Sequence, residues 1–440
     1  MIERVVNRPN LHKARARVVS NGGSAGVDRM GVTLLAEHLL VHGEELRRAV
    51  LEGTYRPKPI LGVTIPKSNG STRLLGVPTV TDRYLQQAAH QVIMPLFEVE
   101  FKAHSYGFRP GRSAQQAVLR AEQHINAGHQ HIVDIDLKNF FDEVDHCILF
   151  QLLYRKVKCP CTMRLIRQWS RAPIEVNGKL IKRRKGVPQG SPISPLLSNI
   201  MLHELDQELE KRGLRYVRYA DDFSIHLKDE ATARRIDTEI REFIEDHLKL
   251  PVNHAKSGIR KPDQFELLGY GFIAKYKKEE DDPDLYNPVV SPKGWETLKR
   301  KIKTITRKTT PLTFTDRIAQ LNTMQRGWLN YFRLARMGTQ LRALDGWVRS
   351  RLRYCIWHHW KKPSAKRKNL IRLGITPLKA YMWSNTRKGG WRTALSPILN
   401  TSVTTARLAK RGYLAMLDHY RITAPHLNEP LYTRPVRTVV

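Results

Sequence analysis

The chain has 440 residues and is 41% hydrophobic, long enough for several domains and a sizeable core, and too apolar to be disordered. Its 75 Lys and Arg stand against 41 Asp and Glu, a formal charge of +34. That is more than solubility requires and points to a polyanionic partner, nucleic acid first. No apolar run is long enough to span a membrane and the N-terminus has no signal-peptide core, so a soluble, cytoplasmic protein without membrane contact is expected.

Residues 1–50 read as largely helical, broken by the Gly-rich run Asn21-Gly22-Gly23-Ser24-Ala25-Gly26. Residues 59–65 and 74–77 suit two strands around a turn, and 81–100 a helix capped by Thr81 or Asp82. A helix at 113–127 is followed by a buried strand at 131–137. One helix is expected over 146–170, then a hairpin over 174–185 around Asn177-Gly178, a strong two-residue turn signal. A helix at 194–212, a hairpin centred on Asp221, a helix at 229–247 and short strands near 250–273 complete this part. The acidic, Pro-broken loop Glu279-Glu280-Asp281-Asp282-Pro283-Asp284 marks a domain boundary just after it. Beyond 292 the pattern is helical and basic.

Charge is unevenly spread. Residues 291–440 hold 31 Lys and Arg against five Asp and Glu, a net of +26, and seven of the eight tryptophans. Basic and aromatic residues together can neutralise phosphates and stack on bases, although at least half of these tryptophans are expected to be helix core. Cys147, Cys159, Cys161 and Cys355 lack zinc-ligand spacing and read as reduced structural residues. The His358-His359 pair, even taken with His146 and His254, has no Cys or carboxylate spacing to make it a metal site.

The chemistry concentrates in carboxylates. Tyr219-Ala220-Asp221-Asp222 sets two adjacent acids between two strand-like runs. Alone, such a pair is a solvated turn. A second acidic run ends the 131–137 strand, where alternation puts Asp134 and Asp136 on one face. A carboxylate ending one strand beside a carboxylate pair at a hairpin tip can hold two Mg²⁺ ions for in-line phosphoryl transfer. Asp142, Glu143 and Asp145 read as solvated or capping. The run Gly186-Val187-Pro188-Gln189-Gly190-Ser191-Pro192 fixes a loop ahead of a helix.

Taken in order, these blocks resemble those of group II intron-encoded reverse transcriptases. The likeness runs through Asn21–Met30, Ile65-Pro66-Lys67, Gly76–Arg83, His104–Ser113, Asp134–Asp142, Pro188-Gln189-Gly190 and Tyr219-Ala220-Asp221-Asp222. It continues through Leu250–Ser257, Leu267–Phe272 and Arg326-Gly327-Trp328-Leu329-Asn330-Tyr331-Phe332. The resemblance implies an α+β right-hand polymerase. Fingers and a palm with an antiparallel sheet would occupy 1–287, an α-helical thumb (maturase domain X) 288–365, and a basic C-terminal nucleic-acid-binding region 366–440.

By that likeness Asp136, Asp221 and Asp222 bind the two Mg²⁺ ions, for which Mn²⁺ can substitute. Lys67 and Arg73 grip the triphosphate. Phe141 is the gate against a ribose 2′-hydroxyl, Gln189 contacts nucleotide and template, and Lys256 is the general acid for pyrophosphate. Tyr270, Gly271 and Phe272 form the primer grip. Where many relatives carry a further basic residue, this chain has Leu61 and Gly62.

Arg349, Arg353 and Trp357 fall on one helical face beside the run that includes Lys361 and Lys362. That face, the Arg387-Lys388 loop and Arg109 are read as nucleic-acid contacts. The implied partners are a group II intron RNA or other RNA template, a DNA primer, dNTPs and a DNA target, in a bacterial cytoplasm. No Cys pair or His-Asn-His pattern follows residue 400, so no endonuclease module is expected. A domesticated relative acting in repair, phage defence or CRISPR spacer acquisition is the main alternative. A splicing-only maturase is disfavoured by the intact acids, and an RNA-dependent RNA polymerase by Phe141.

Overall fold

The computed structural model describes residues 1–66, 72–276 and 285–423. The chain divides into two compact units, Met1–Phe265 and Glu266–Val440.

The first unit contains β1 (Ile60–Pro66), β2 (Thr72–Val77), β3 (His131–Ile135), β4 (Ile174–Val176), β5 (Lys179–Ile181), β6 (Arg215–Tyr219), β7 (Asp222–Leu227) and β8 (Gly258–Arg260). One sheet has the order β2-β1-β4-β5, with β1 antiparallel to β2 and parallel to β4. The second is antiparallel, in the order β6-β7-β3-β8. Ile132, Val133, Ile135, Tyr216, Val217, Phe223 and Ile225 of this second sheet are buried. Helices Ala114–Asn126, Ser194–Lys211 and Glu230–Glu242 pack on it. The first of these starts at a Ser113/Gln116 capping box and turns Ala117, Val118, Ala121 and Ile125 inward at helical spacing. The β4–β5 hairpin has Asn177 and Gly178 both at positive φ, as an Asn-Gly turn requires.

Three of the boundaries that differ from the sequence reading have a local cause. The helix expected at 81–100 is Val80–Glu98, and its cap is Thr79, whose Oγ1 accepts the Asp82 N–H at 3.1 Å. Asp82 instead turns inward, where its carboxylate accepts from Tyr55 Oη (2.7 Å), Thr79 Oγ1 (2.6 Å) and Trp169 Nε1 (3.3 Å). Burial raises its pKa against those bonds. The single helix expected over 146–170 is two, His146–Tyr154 and Pro160–Arg171, because Pro160 has no N–H to continue a helix and suits its first turn. The strand expected over 131–137 stops at Ile135, and Leu137 retains only an isolated bridge to Val252.

The Gly-rich break at 21–26 has a packing reason. A Cβ on Gly26 would lie 2.8 Å from the Thr79 Cα, and Arg83 donates to the Ser24 carbonyl at 2.6 Å.

The second unit opens with β9 (Glu266–Leu267), β10 (Tyr270–Ala274) and β11 (Tyr286–Val290), in the order β11-β10-β9. Helices Pro292–Ile305, Phe314–Tyr331 and Gly338–His359 follow, then six short ones among the described residues up to Thr423. Trp295, Trp328, Phe332 and Tyr270 form one aromatic cluster, with neighbouring centroids 4.8–5.1 Å apart. The basic C-terminal segment folds back on the long helix. Arg353 Nε donates to the Val403 carbonyl (2.9 Å), and Asp345 accepts from Tyr413 Oη, Met416 N and Leu417 N at 2.9–3.0 Å. No helix among the described residues is long and apolar enough to cross a membrane.

Candidate active site

In the β3–β7 ladder Ile135 faces Phe223, the last of five consecutive pairs. One residue further along the same register, Asp136 stands across from Asp222. Tyr219 pairs with Asp222 in the β6–β7 hairpin, so the turn is Ala220-Asp221. The three carboxylates singled out in the sequence therefore meet at the ends of adjacent strands.

Ala220 holds φ at 58°, a conformation for which glycine is the usual choice at the first position of a two-residue turn. A buried network holds it there. The Arg218 guanidinium donates to the Ala220 carbonyl (2.9 Å), to Asn199 Oδ1 (3.0 Å) and, with two nitrogens, to the Asp206 carboxylate (2.7 and 2.5 Å). Asn199 Nδ2 donates in turn to the Gly107 carbonyl at 2.8 Å. Gly107 lies so close to the turn that a Cβ there would stand 2.2 Å from the Ala220 nitrogen. The main chain of Arg218 is bonded on both sides to the 104–106 segment, at 2.9 Å to His104 O and from Tyr106 N. Arg218 and Asp206 have no exposed side-chain surface. Arg218 immediately precedes the Tyr219-Ala220-Asp221-Asp222 run, but nothing in the sequence ties it to Asp206 or Asn199.

Asp136 is held by the 250–257 segment. Its N–H donates to Ser257 Oγ (2.9 Å), Asn253 Nδ2 donates to its Oδ2 (2.8 Å), and Asn253 N to its carbonyl (2.8 Å). Lys256 Nζ stands 3.5 Å from Asp136 Oδ2. Arg260 Nε pairs with Asp134 at 2.9 Å. Asn253, Ser257 and Arg260 carry no role in the sequence reading, yet they fix the acids.

The electrostatics are those of crowded acids. Asp222 reaches solvent at its open side, but the protein around its carboxyl, and after that Asp221, Asp136 and Asp134, push its pKa up to about 6. Burial also raises Asp221, where Asp136 adds to the effect and Arg73 and Arg218 oppose it. Asp134 is raised by burial against its bond from Arg260. Such a set of hard oxygen donors, short of positive charge, fits a divalent cation. Among the described residues no three His, Cys, Asp or Glu side chains converge closely enough to hold an ion alone.

Arg73 lies on β2, opposite Ile65 and exposed, with its charge felt at Asp221; Lys67 lies outside the described residues. Gly62 is required by close packing, since a Cβ there would stand 2.7 Å from Val176 Cγ2 and 2.8 Å from Ile174 Cγ2. Half-buried Phe141 packs edge-on to Phe140 at 5.3 Å, and its carbonyl accepts from Val187 N at 2.7 Å. The Gln189 carbonyl accepts from Gly76 N at 2.8 Å. Hydrogen bonds thus tie Phe141 to the Gly186–Ser191 loop, and that loop to the strand bearing Arg73.

Other candidates are placed differently. Arg109 is not a surface contact. Its guanidinium is buried and spent on Glu98 (2.7 Å) and the carbonyls of Lys102 and Ser105. Arg353 and Trp357 are also buried, in the second unit, so they do not form an exposed nucleic-acid face with half-buried Arg349. Tyr270 and Phe272 turn their rings into that unit's core, and Tyr270 Oη donates to the Tyr331 carbonyl at 2.5 Å. Gly271 sits in the ladder between Glu266 and Val289. Lys361, Lys362, Arg387 and Lys388 are exposed.

Residues 65–272 match the family model described as reverse transcriptase (RNA-dependent DNA polymerase), and residues 295–374 match the group II intron, maturase-specific domain. Protein YkfC of Escherichia coli (strain K12) is 34% identical over 314 residues, which cover 62% of this chain and 82% of that protein. Group II intron-encoded protein LtrA of Lactococcus lactis subsp. cremoris is 29% identical over 293 residues, 52% of this chain and 49% of LtrA. Retron Mx65 reverse transcriptase of Myxococcus xanthus is 29% identical over 208 residues, 45% of this chain and 47% of that protein. The chain thus spans about half the length of the last two. With a polymerase palm and fingers followed by a maturase-specific domain, the chain belongs to the group II intron-type reverse transcriptases, and is an RNA-directed DNA polymerase.

Proposed function

We propose that this polymerase copies RNA into cDNA at the Asp136, Asp221 and Asp222 site with two Mg²⁺ ions, and that it binds a group II intron RNA to assist splicing and mobility. The observation that carries the site is the register that sets Asp136 across from Asp222 with Asp221 in the adjoining turn. The three carboxylates would hold the cations, which when bound supply activation of the primer 3′-hydroxyl and charge neutralisation on the triphosphate.

The protein's own residues position and screen. The 3′-hydroxyl gives up its proton to water, its oxygen attacks the α-phosphorus as the bond to pyrophosphate breaks, and Lys256 Nζ, held 3.5 Å from Asp136, hands its proton to the departing pyrophosphate. Arg73 and Lys67 draw the triphosphate in, and Phe141 excludes a 2′-hydroxyl beside a sugar contacted by Gln189. The 270–272 segment supports the primer through its backbone. Arg349, Lys361, Lys362, Arg387 and Lys388 supply phosphate contacts. Fingers and palm to residue 287, a helical thumb to 365 and a basic region from 366 are the working division, in a bacterial cytoplasm.

Primer extension on an RNA template with a DNA primer, dNTPs and Mg²⁺ tests this. Asp221→Ala is expected to cut synthesis by at least about a hundredfold while RNA affinity stays within about twofold. Equal loss of both would make Asp221 structural and sink the assignment.

A further inference from the structure

A groove of about 600 Å³ on the first unit shares no residue with the aspartate site. Arg56, Arg164, Arg167 and Arg171 line it together with the exposed ring of Tyr154. The three helical arginines follow i, i+3, i+7 spacing on Pro160–Arg171 and so share one face. The opposite face, with Leu165, Ile166 and Trp169, is buried. All four arginines are exposed, and among the described residues none has a carboxylate within 4 Å. Exposed Arg8, Arg155, Arg212 and Arg234 of this unit are each paired with a glutamate, and exposed Arg17, Arg48, Arg184 and Arg215 are not; what sets the groove apart is four arginines gathered on one surface. Arg167 and Arg171 lie 5.5 and 5.7 Å from the Phe150 ring, which orders their guanidinium groups in place of an acid.

We propose that this groove is a second RNA-binding surface, which takes the backbone phosphates of a structured RNA independently of the aspartate site. Four like charges gathered without counter-charge are complementary to a polyanion. Arg164 to Arg171 spans about 10 Å of helix axis, over which one nucleic-acid strand, at roughly 3.4 Å per phosphate, carries about three charges. Guanidinium forks match phosphate oxygens, and Tyr154 offers a ring for a base or sugar at the rim. The proposal rests on the reading that the chain binds RNA.

The test uses the full chain and a fluorescein-labelled RNA hairpin, titrated at several salt concentrations. The triple variant Arg164→Gln, Arg167→Gln, Arg171→Gln is expected to bind the hairpin about tenfold more weakly, with a log–log salt slope shallower by about two. Extension of oligo(dT) on poly(rA) and the melting temperature should be unchanged. The corresponding triple lysine variant should keep the slope. Should the glutamine variant melt early, Arg167→Glu alone is read by the same slope, again expected to be shallower.

An unchanged slope in these variants overturns the proposal. So does a labelled poly-glutamate peptide that loses binding in the glutamine variant while RNA binding persists, which would assign the groove to an acidic protein segment. Wild-type protein that binds the hairpin in a groove-dependent way yet makes no cDNA would sink the polymerase reading and leave the groove standing.

Discussion

Arg218 shows how much of a catalytic turn is decided by a side chain that touches no substrate. Its fork ties Asp206, Asn199 and the Ala220 carbonyl into one buried unit. Removing one partner of such a pair strands the other charge in the interior, at about 3–5 kcal/mol. Lysine keeps the charge but not the two-pronged geometry. Arg218→Met is therefore expected to lower the melting temperature by several degrees. Arg218→Lys should lose primer-extension kcat by about tenfold or more at nearly unchanged RNA affinity. Wild-type kcat in the lysine variant would show that charge alone suffices. The sequence displayed Asp136, Asp221 and Asp222 because their types and positions state their chemistry. It did not display Asp206 or Asn199, since a polar residue on a helix says nothing about which buried donor it meets. Arg109 and Arg353 were misread for the same reason. A count of charges does not reveal that Glu98 or the Val403 carbonyl already holds the guanidinium.

At the scale of elements, the β3–β7 ladder presses acids together, and that repulsion has a pH signature. Asp222 titrates at about 6 in the folded chain, against about 4 when unfolded. A raised carboxyl pKa means the native state binds the proton more tightly. Its contribution favours folding below about pH 4 and is lost as pH rises through 6. At neutral pH the ionised carboxylate thus opposes folding unless a cation offsets it. Asp222→Asn is expected to raise the melting temperature of cation-free protein at neutral pH, to lose that advantage near pH 4, and to show a smaller Mg²⁺-induced rise than wild type. A variant less stable than wild type at both pH values would contradict this. Most elements were legible because period and turn chemistry agree, as in the capped helix after Ser113 and the Asn177-Gly178 hairpin. Boundaries failed where a local competitor won. Thr79 out-competed Thr81 as the cap because the Asp82 carboxylate is drawn inward to Tyr55 and Trp169, and Pro160 cut one expected helix into two.

For the whole molecule, the strong positive bias beyond residue 290 points to a helical thumb followed by a basic nucleic-acid-binding region, and Lys361, Lys362, Arg387 and Lys388 are exposed. Yet the same segment buries Leu370, Leu399, Tyr413 and Tyr420 and anchors on Asp345, contacts too distant in sequence for composition to reveal. Ending the chain after residue 365 is therefore expected to uncover the core of the second unit and to abolish its cooperative transition in calorimetry. A transition that survives at the full-length temperature would show that the segment is dispensable for folding. The tight seat of Ala220 against Gly107 carries a practical consequence for anyone recombining such enzymes. The hairpin cannot be treated as a portable cassette. A crossover that brings in a new turn but leaves behind the parental 104–107 segment, Asn199 and Asp206 would join mismatched halves. Chimaeras should exchange all four together or none.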